Sequence, residues 1–211
     1  MRRPILIALM IASLAGAGPA QVVHAPYAFA QDAIDQHRAG TFDIEMFTHP
    51  PGDKAYACFM RRYDAEHLAQ HPKQKVTAMK LLVAAEIPEG ETRLSYSFRL
   101  GVKFRHRAGD FDSSGYCNHA VADADASELR FACGVDCEGG GINVALSKDD
   151  KSAIIRLERI MVWQNNKPDD DAGEALFAGA DDKIFRLDRV DGAECAALVT
   201  DRKELAALRH K

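Results

Sequence analysis

Residues 94–107 read LSYSFRLGVKFRHR, and the alternation in this stretch decides the fold. Leu94, Tyr96, Phe98, Leu100, Val102, Phe104 and His106 share one parity; Ser95, Ser97, Arg99, Gly101, Lys103, Arg105 and Arg107 share the other. A period of two is that of a β-strand with one face on a core and one in water. At about 3.3 Å per residue the run would reach roughly 46 Å, longer than most strands. A bulge or bend is therefore expected, and Gly101 is its natural place.

The same pattern recurs on both sides. Thr41–Thr48 sets Phe42, Ile44 and Met46 against Asp43 and Glu45, which predicts a first strand behind a polar lead-in, Gln31–Gly40. Val76–Ile87 places Thr77, Met79, Leu81, Val83 and Ala85 on one face of a second strand. Tyr116–Val121 and Glu128–Cys133 flank a polar turn, Ala122–Ser127, as a hairpin centred near Asp125. Ile142–Ser147, Ser152–Trp163 and Lys183–Val190 follow, the middle one with Ala153, Ile155, Leu157, Met161 and Trp163 on its core face. Gly109–Gly115 and Asn165–Asp182 read as loops, the latter with six acids and one lysine.

Two short helices complete the outline. One is capped by Asp64 and stopped at His71-Pro72; the other opens on Asp201-x-x-Glu204, a capping-box pattern. About eight strands, mostly short turns and no βαβ alternation give an antiparallel all-β domain, a sandwich or a barrel.

Residues 1–30 read as an export signal. Arg2 and Arg3 precede the apolar run Ile5–Ala17, and Ala28-Phe29-Ala30 fits the small-x-small cleavage rule. General secretion would leave one domain, residues 31–211, in the periplasm or the medium, and no later stretch is apolar enough to span a bilayer. The signal carries two arginines and no acid, so its removal takes the net charge from −4 to −6. An acidic exported chain is a poor fit to nucleic acid.

Outside the cytoplasm, Cys58, Cys117, Cys133, Cys137 and Cys195 point to disulfides before metals. Cys117 and Cys133 sit nearly opposite in the hairpin, where cross-strand Cα atoms lie about 4.5–5.5 Å apart. Cys58 with Cys195 would then tie the start of the domain to its end and leave Cys137 over.

Four constellations offer chemistry. Asp110-Phe-Asp112-Ser-Ser114-Gly115 is D-x-D-x-S-G, the first half of a calcium loop, with Asn118 at the ninth position. Val121 stands where a bidentate Glu belongs, and Asp and Ser are equally ordinary turn residues. Cys133, Asp136, Cys137 and Glu138, with His119, hold donor atoms but no second zinc pair. His67 and His71 share a helix face, yet Gln70 stands where an inverted zinc-protease motif has its Glu. Arg93, Arg99, Lys103, Arg105 and Arg107 make a cationic face that either meets an anion or pairs with neighbours such as Glu158.

The segments YDAEHLAQHPKQKV (63–76), GDFDSSG (109–115), CGVDCEGGG (133–141) and DDKIFRLDR (181–189) resemble a set of uncharacterised exported proteins of Gram-negative bacteria. That resemblance implies export and a bacterial origin and brings no activity, cofactor or site residue.

No nucleophile stands beside a base in any recognisable motif. The chain therefore reads as a non-enzymatic binding or envelope-associated β-domain, its partner an unidentified small molecule or envelope protein. A calcium-stabilised domain is one alternative. A hydrolase assembled from His106, His119, Asp136 and Glu138 is the other.

Overall fold

The computed structural model describes residues 34–122, 125–164 and 173–209. Residues 1–33, 123–124, 165–172 and 210–211, which include the expected export signal and part of the expected acidic loop, lie outside the described residues.

The strands are β1 (Lys54–Arg62), β2 (Val76–Glu86), β3 (Ser95–Phe104), β4 (Phe111–Ala122), β5 (Asp125–Gly134) and β6 (Gly140–Leu146). They continue with β7 (Ser152–Gln164), β8 (Glu174–Phe177) and β9 (Ile184–Val190). All pair antiparallel in the order β6-β5-β4-β3-β2-β1-β9-β7-β8. A further pairing of β6 with β7 closes the sheet into a ring, with β8 continuing along β7 beyond β9. The barrel form of the expected all-β class is the one adopted. The ring is filled by side chains: Phe59, Leu81, Phe98, Phe131, Ile155 and Phe185 are almost fully buried in one core.

The stretch 94–107 forms β3 with the expected parity: Phe98, Leu100 and Val102 are buried. Gly101 is not a bulge, because the register runs unbroken through Lys80↔Gly101 and Gly101↔Asp112. The irregularity falls instead between Val76 and Ala78. Gly101 serves close packing, since a Cβ there would lie 2.7 Å from the Leu198 Cδ2 of the C-terminal segment.

The expected first strand, Thr41–Thr48, is a helix, α1 (Gln36–Phe47), which also takes in the end of the lead-in. Asp35 caps it, accepting from the His37 N–H at 3.0 Å. Phe42 with Met46, and Asp43 with Phe47, repeat at i, i+4 and are buried, while Ile44 remains 46% exposed. Helical spacing therefore governs burial here. α1 adds Phe42, Met46 and Phe47 to the barrel core.

Three further expectations shift, the first within the loop expected at Asn165–Asp182, where Glu174–Phe177 is strand β8 because it pairs with β7. The loop expected at Gly109–Gly115 is strand from Phe111, because β4 begins by pairing Phe111 and Asp112 with the end of β7. In β7 the register steps from Gly141↔Arg159 to Ile142↔Leu157, so Glu158 is an extra residue and the core parity changes. Ala153, Ile155 and Leu157 are buried before it; Ile160 and Val162, not Met161 and Trp163, are buried after it.

The helix capped by Asp64 is α2 (Ala65–Gln70). After β9 come a 3-10 helix, Gly192–Leu198, and α3 (Arg202–Arg209). They lie on the outside of β1 and β2, where Cys195, Leu198, Val199 and Leu208 form a second apolar cluster with Cys58 and Leu82. Disulfides join Cys58 to Cys195 and Cys117 to Cys133, and Cys137 is free. No helix among the described residues is long and apolar enough to cross a membrane.

Gly115 lets β4 approach the end of β5, its antiparallel partner, closely: a Cβ there would stand 1.9 Å from the Gly134 carbonyl oxygen. Main chain cannot yield as a side chain can. Gly115→Ala is expected to lower the urea-unfolding free energy by about 3 kcal/mol or more, the upper part of the overpacking range. Gly52→Ala, with open space around it, should stay within about 0.5 kcal/mol. Equal stabilities for the two variants would show that the approach is not tight.

Candidate functional site

The ring has one incomplete seam. β1 pairs with β9 only through Cys58↔Val190, Phe59↔Arg189 and Met60↔Asp188. Beyond that point β1 follows β2 as far as Arg62↔Ala78, and β9 follows β7 as far as Ile184↔Arg156. A cleft of about 550 Å³ opens between them, within the size range of small-ligand sites. Phe185 from the core reaches its lining.

Both ends of the cleft are tied. At one end Arg61 binds Asp188 at 3.0 Å. At the other, Asp181 accepts from the Lys73 N–H at 3.0 Å, and fully buried Asp182 accepts from Lys75 N–H at 2.7 Å and Val76 N–H at 3.2 Å.

One wall is built by α2 and the residues flanking it. Tyr63, His67 and His71 recur every four residues, so their rings align along one side. Tyr63 and His67 stack at 4.6 Å and 29°, His67 and His71 at 4.3 Å and 30°. Buried Gln74 donates its amide N–H to the Val76 carbonyl at 2.7 Å, which turns its Oε1 toward His67. The His67 Nε2, 3.0 Å from that oxygen, must then carry a proton. The stacked rings keep their planes near-parallel, and the His67 Nε2 is used on Gln74.

The polar groups of the cleft are unequally satisfied. Asp188 accepts from Arg61 and from the Ser152 hydroxyl, and Asp181 is held by Lys73. Among the described residues, the Lys183 ammonium and the His71 ring nitrogens have no hydrogen-bond partner. Arg186 uses Nε on the Ser152 Oγ at 3.1 Å, its charge also acts on Asp149, and its side chain lines the cleft. Burial pushes the Tyr63 phenol up, with Arg61 opposing part of that shift, so the ring stays neutral and can donate. Among the cleft's side chains, donors outnumber free acceptors.

The constellations legible in the sequence go elsewhere. Asp110, Asp112, Ser114 and Asn118 alternate along the extended approach to β4 and the strand itself, roughly 7 Å apart in steps of two, and do not curl round an ion. Asp110 pairs with Lys103 at 3.0 Å. Asp136–Gly139 is the tight turn between β5 and β6, with Cys137 and Glu138 at φ 55° and 60° and Gly139 N–H donating to the Asp136 carbonyl at 3.2 Å. Cys133 is spent in its bridge. Among the described residues no three His, Cys, Asp or Glu side chains are grouped to hold a metal.

The cationic face does not gather on one partner. Arg99 forks onto Glu204 at 2.8 and 3.0 Å, Arg107 pairs with Glu174, and Arg105 donates to the Leu68 carbonyl at 3.3 Å. The expected neighbour on β7 is not used. Asp201 caps α3 by accepting from the Glu204 N–H at 2.9 Å, but Glu204 turns to Arg99 in place of closing a capping box.

His119 does not meet Asp136 or Glu138. Its Nε2 lies 2.9 Å from the Asp43 Oδ1, and the Tyr96 hydroxyl donates to the Asp43 Oδ2 at 2.7 Å. Phe42 and Phe131 enclose the group, which fastens α1 to β3 and β4. Of the cleft residues, sequence reasoning singled out only His67 and His71. The four-residue repeat that adds Tyr63 was visible, but nothing near Lys183 and Arg186 marked them.

Burial and the Asp43 carboxylate push the Tyr96 phenol well above its ordinary value. The folded state thus keeps a proton that the unfolded chain releases near pH 10, and the stability it lends is complete below pH 10 and lost as pH climbs further. Tyr96→Phe should cost about 1–3 kcal/mol at pH 7 and make the fall in stability above pH 10 shallower by up to about 1.4 kcal/mol per pH unit. Denaturant titrations at pH 7, 10 and 11 measure both, and parallel slopes would refute the assignment. The chain matches no protein-family model, no curated protein and no solved structure.

Proposed function

We propose that this protein is an exported, non-enzymatic binding domain whose cleft takes a ligand bearing a carboxylate or phosphate group. The observation that carries the reading is the imbalance of partners: Asp181 and Asp188 accept hydrogen bonds from within the protein, whereas among the described residues the Lys183 ammonium and the His71 ring nitrogens have no hydrogen-bond partner, and Arg186 adds a second cation to the lining. Charge-assisted hydrogen bonds to an anion are the strong way to satisfy such a set, and Arg and Lys differ in role, the first as a planar fork and the second as a point charge. The column Tyr63–His67–His71 gives the same ligand a flat surface to lie against. Two disulfides fit an oxidising compartment, and the signal-like residues 1–30 fit a route to it.

Calorimetric titration at low ionic strength tests the proposal with inorganic phosphate and benzoate as probes and chloride as control. Saturable one-site binding of phosphate or benzoate is expected, with the benzoate ring drawing on the aromatic column. Lys183→Ala with Arg186→Ala should weaken it at least about tenfold while leaving the melting temperature within a few degrees, since both side chains are exposed. Binding that survives the double substitution, or no saturable heat from either probe, would overturn the reading.

A further inference from the structure

The cleft offers main chain as well as side chains. Leu157 N–H donates to the Lys183 carbonyl and Arg189 N–H to the Lys151 carbonyl, which fixes the phase of the β7–β9 ladder. In that phase Phe185 and Leu187 exchange main-chain hydrogen bonds with β7, while Ile184, Arg186 and Asp188 turn theirs to the other side. Asp188 meets Met60 on β1. Ile184 and Arg186 meet no strand, and no main-chain bond reaches them from elsewhere among the described residues. The wall of the cleft is a short open sheet edge.

Resting on the anion-binding reading above, we infer that the ligand is the C-terminal end of a partner polypeptide, added as a short strand to the open edge of β9. An open edge bonds an extended main chain rung by rung, and neighbouring side chains then confer selectivity. Length favours a chain end over a continuous segment. From Ile184 to Asp188 the edge is about 13 Å at 3.3 Å per residue, and it is stopped by Asp188 on Met60 at one end and by Asp182 on Lys75 and Val76 at the other. A through-going chain would have to bend out twice, whereas a chain end leaves once. Charge fixes the direction. Lys183 precedes the open edge, so the terminal carboxylate sits at the N-terminal end of β9 and the peptide runs antiparallel to it, as every other pair in the sheet does. Ile184, 58% exposed, offers an apolar contact to the first side chain.

The test uses the acetylated peptide Ala-Val-Ala-Val with a free C-terminal carboxylate, the same peptide as its amide, and sodium acetate, each titrated into the mature protein. The free acid is expected to bind at least tenfold more tightly than the amide or acetate. At saturation the Ile184 and Arg186 amides should exchange with solvent at least tenfold more slowly, with Phe185 and Leu187 unchanged. Ile184→Pro removes one edge N–H at the first strand position and should lose the peptide but keep acetate and phosphate, while Ile184→Ala, which keeps that N–H and loses only the apolar contact, should weaken the peptide less than about tenfold. If the proline variant fails to fold, the exchange measurement on the unaltered protein decides alone. Acetate or phosphate binding without tighter peptide binding and without protection of Ile184 and Arg186 would overturn this inference and leave the anion site standing. Silence from every probe would remove both.

Discussion

One buried carboxylate sets the geometry on which the cleft depends. Asp182 has no exposed surface and accepts hydrogen bonds from the main-chain N–H groups of Lys75 and Val76. A charge buried in this way is tolerable only because two donors replace the water it has lost. The contact fastens the residues before β9 to the start of β2, on the far side of α2 from the end of β1. β9 is thus anchored at both ends, by Asp182 and by its three residue pairs with β1, and it crosses the gap between them supported by β7 alone. An opening in the wall of a closed sheet follows from that arrangement without any cost to the filled core behind it.

The outer straps explain how a ring with an incomplete seam holds together. The Cys58–Cys195 bridge closes 137 residues, for which the chain-entropy account gives roughly 5 kcal/mol; the Cys117–Cys133 bridge closes 16, for roughly 3 kcal/mol. The longer one pins the C-terminal segment to β1, and the Arg99–Glu204 fork binds α3 to β3. Glu204 is 7% exposed, so its pairing with a fixed guanidinium matters more than a surface ion pair would. Separately, α1 is held by Asp43 with Tyr96 and His119, and by Arg189, which reaches the Met46 carbonyl at 2.7 Å. Apart from the hairpin bridge Cys117–Cys133, each of these ties joins residues far apart in the chain.

Much of the barrel was legible because burial of one face enforces a period of two. The residues 94–107 announced β3, and the equal spacing of Cys117 and Cys133 about Asp125 announced their register. Failures arose where two periods fit equally well or where a contact overrode composition. Phe42, Ile44 and Met46 alternate, yet Phe42, Asp43, Met46 and Phe47 satisfy a helix, and eight residues are too few to choose. The run of Asp112, Ser113, Ser114 and Gly115 has the chemistry of a turn and became strand because β3 pairs with all four residues and β7 adds a partner for Asp112. The bulge at Glu158 left no local mark. Nor did the cleft, whose residues come from around Arg61 and from Asp181–Asp188; proximity over some 120 residues is set by topology, which no spacing rule records.

The account rests on the wall being open along β9, and amide hydrogen exchange of the unliganded protein examines that most directly. Protection should alternate along the strand, with Phe185 and Leu187 exchanging at least a hundredfold more slowly than Ile184 and Arg186. Uniform protection of all four would mean that β9 is paired on both sides and that the cleft is not there.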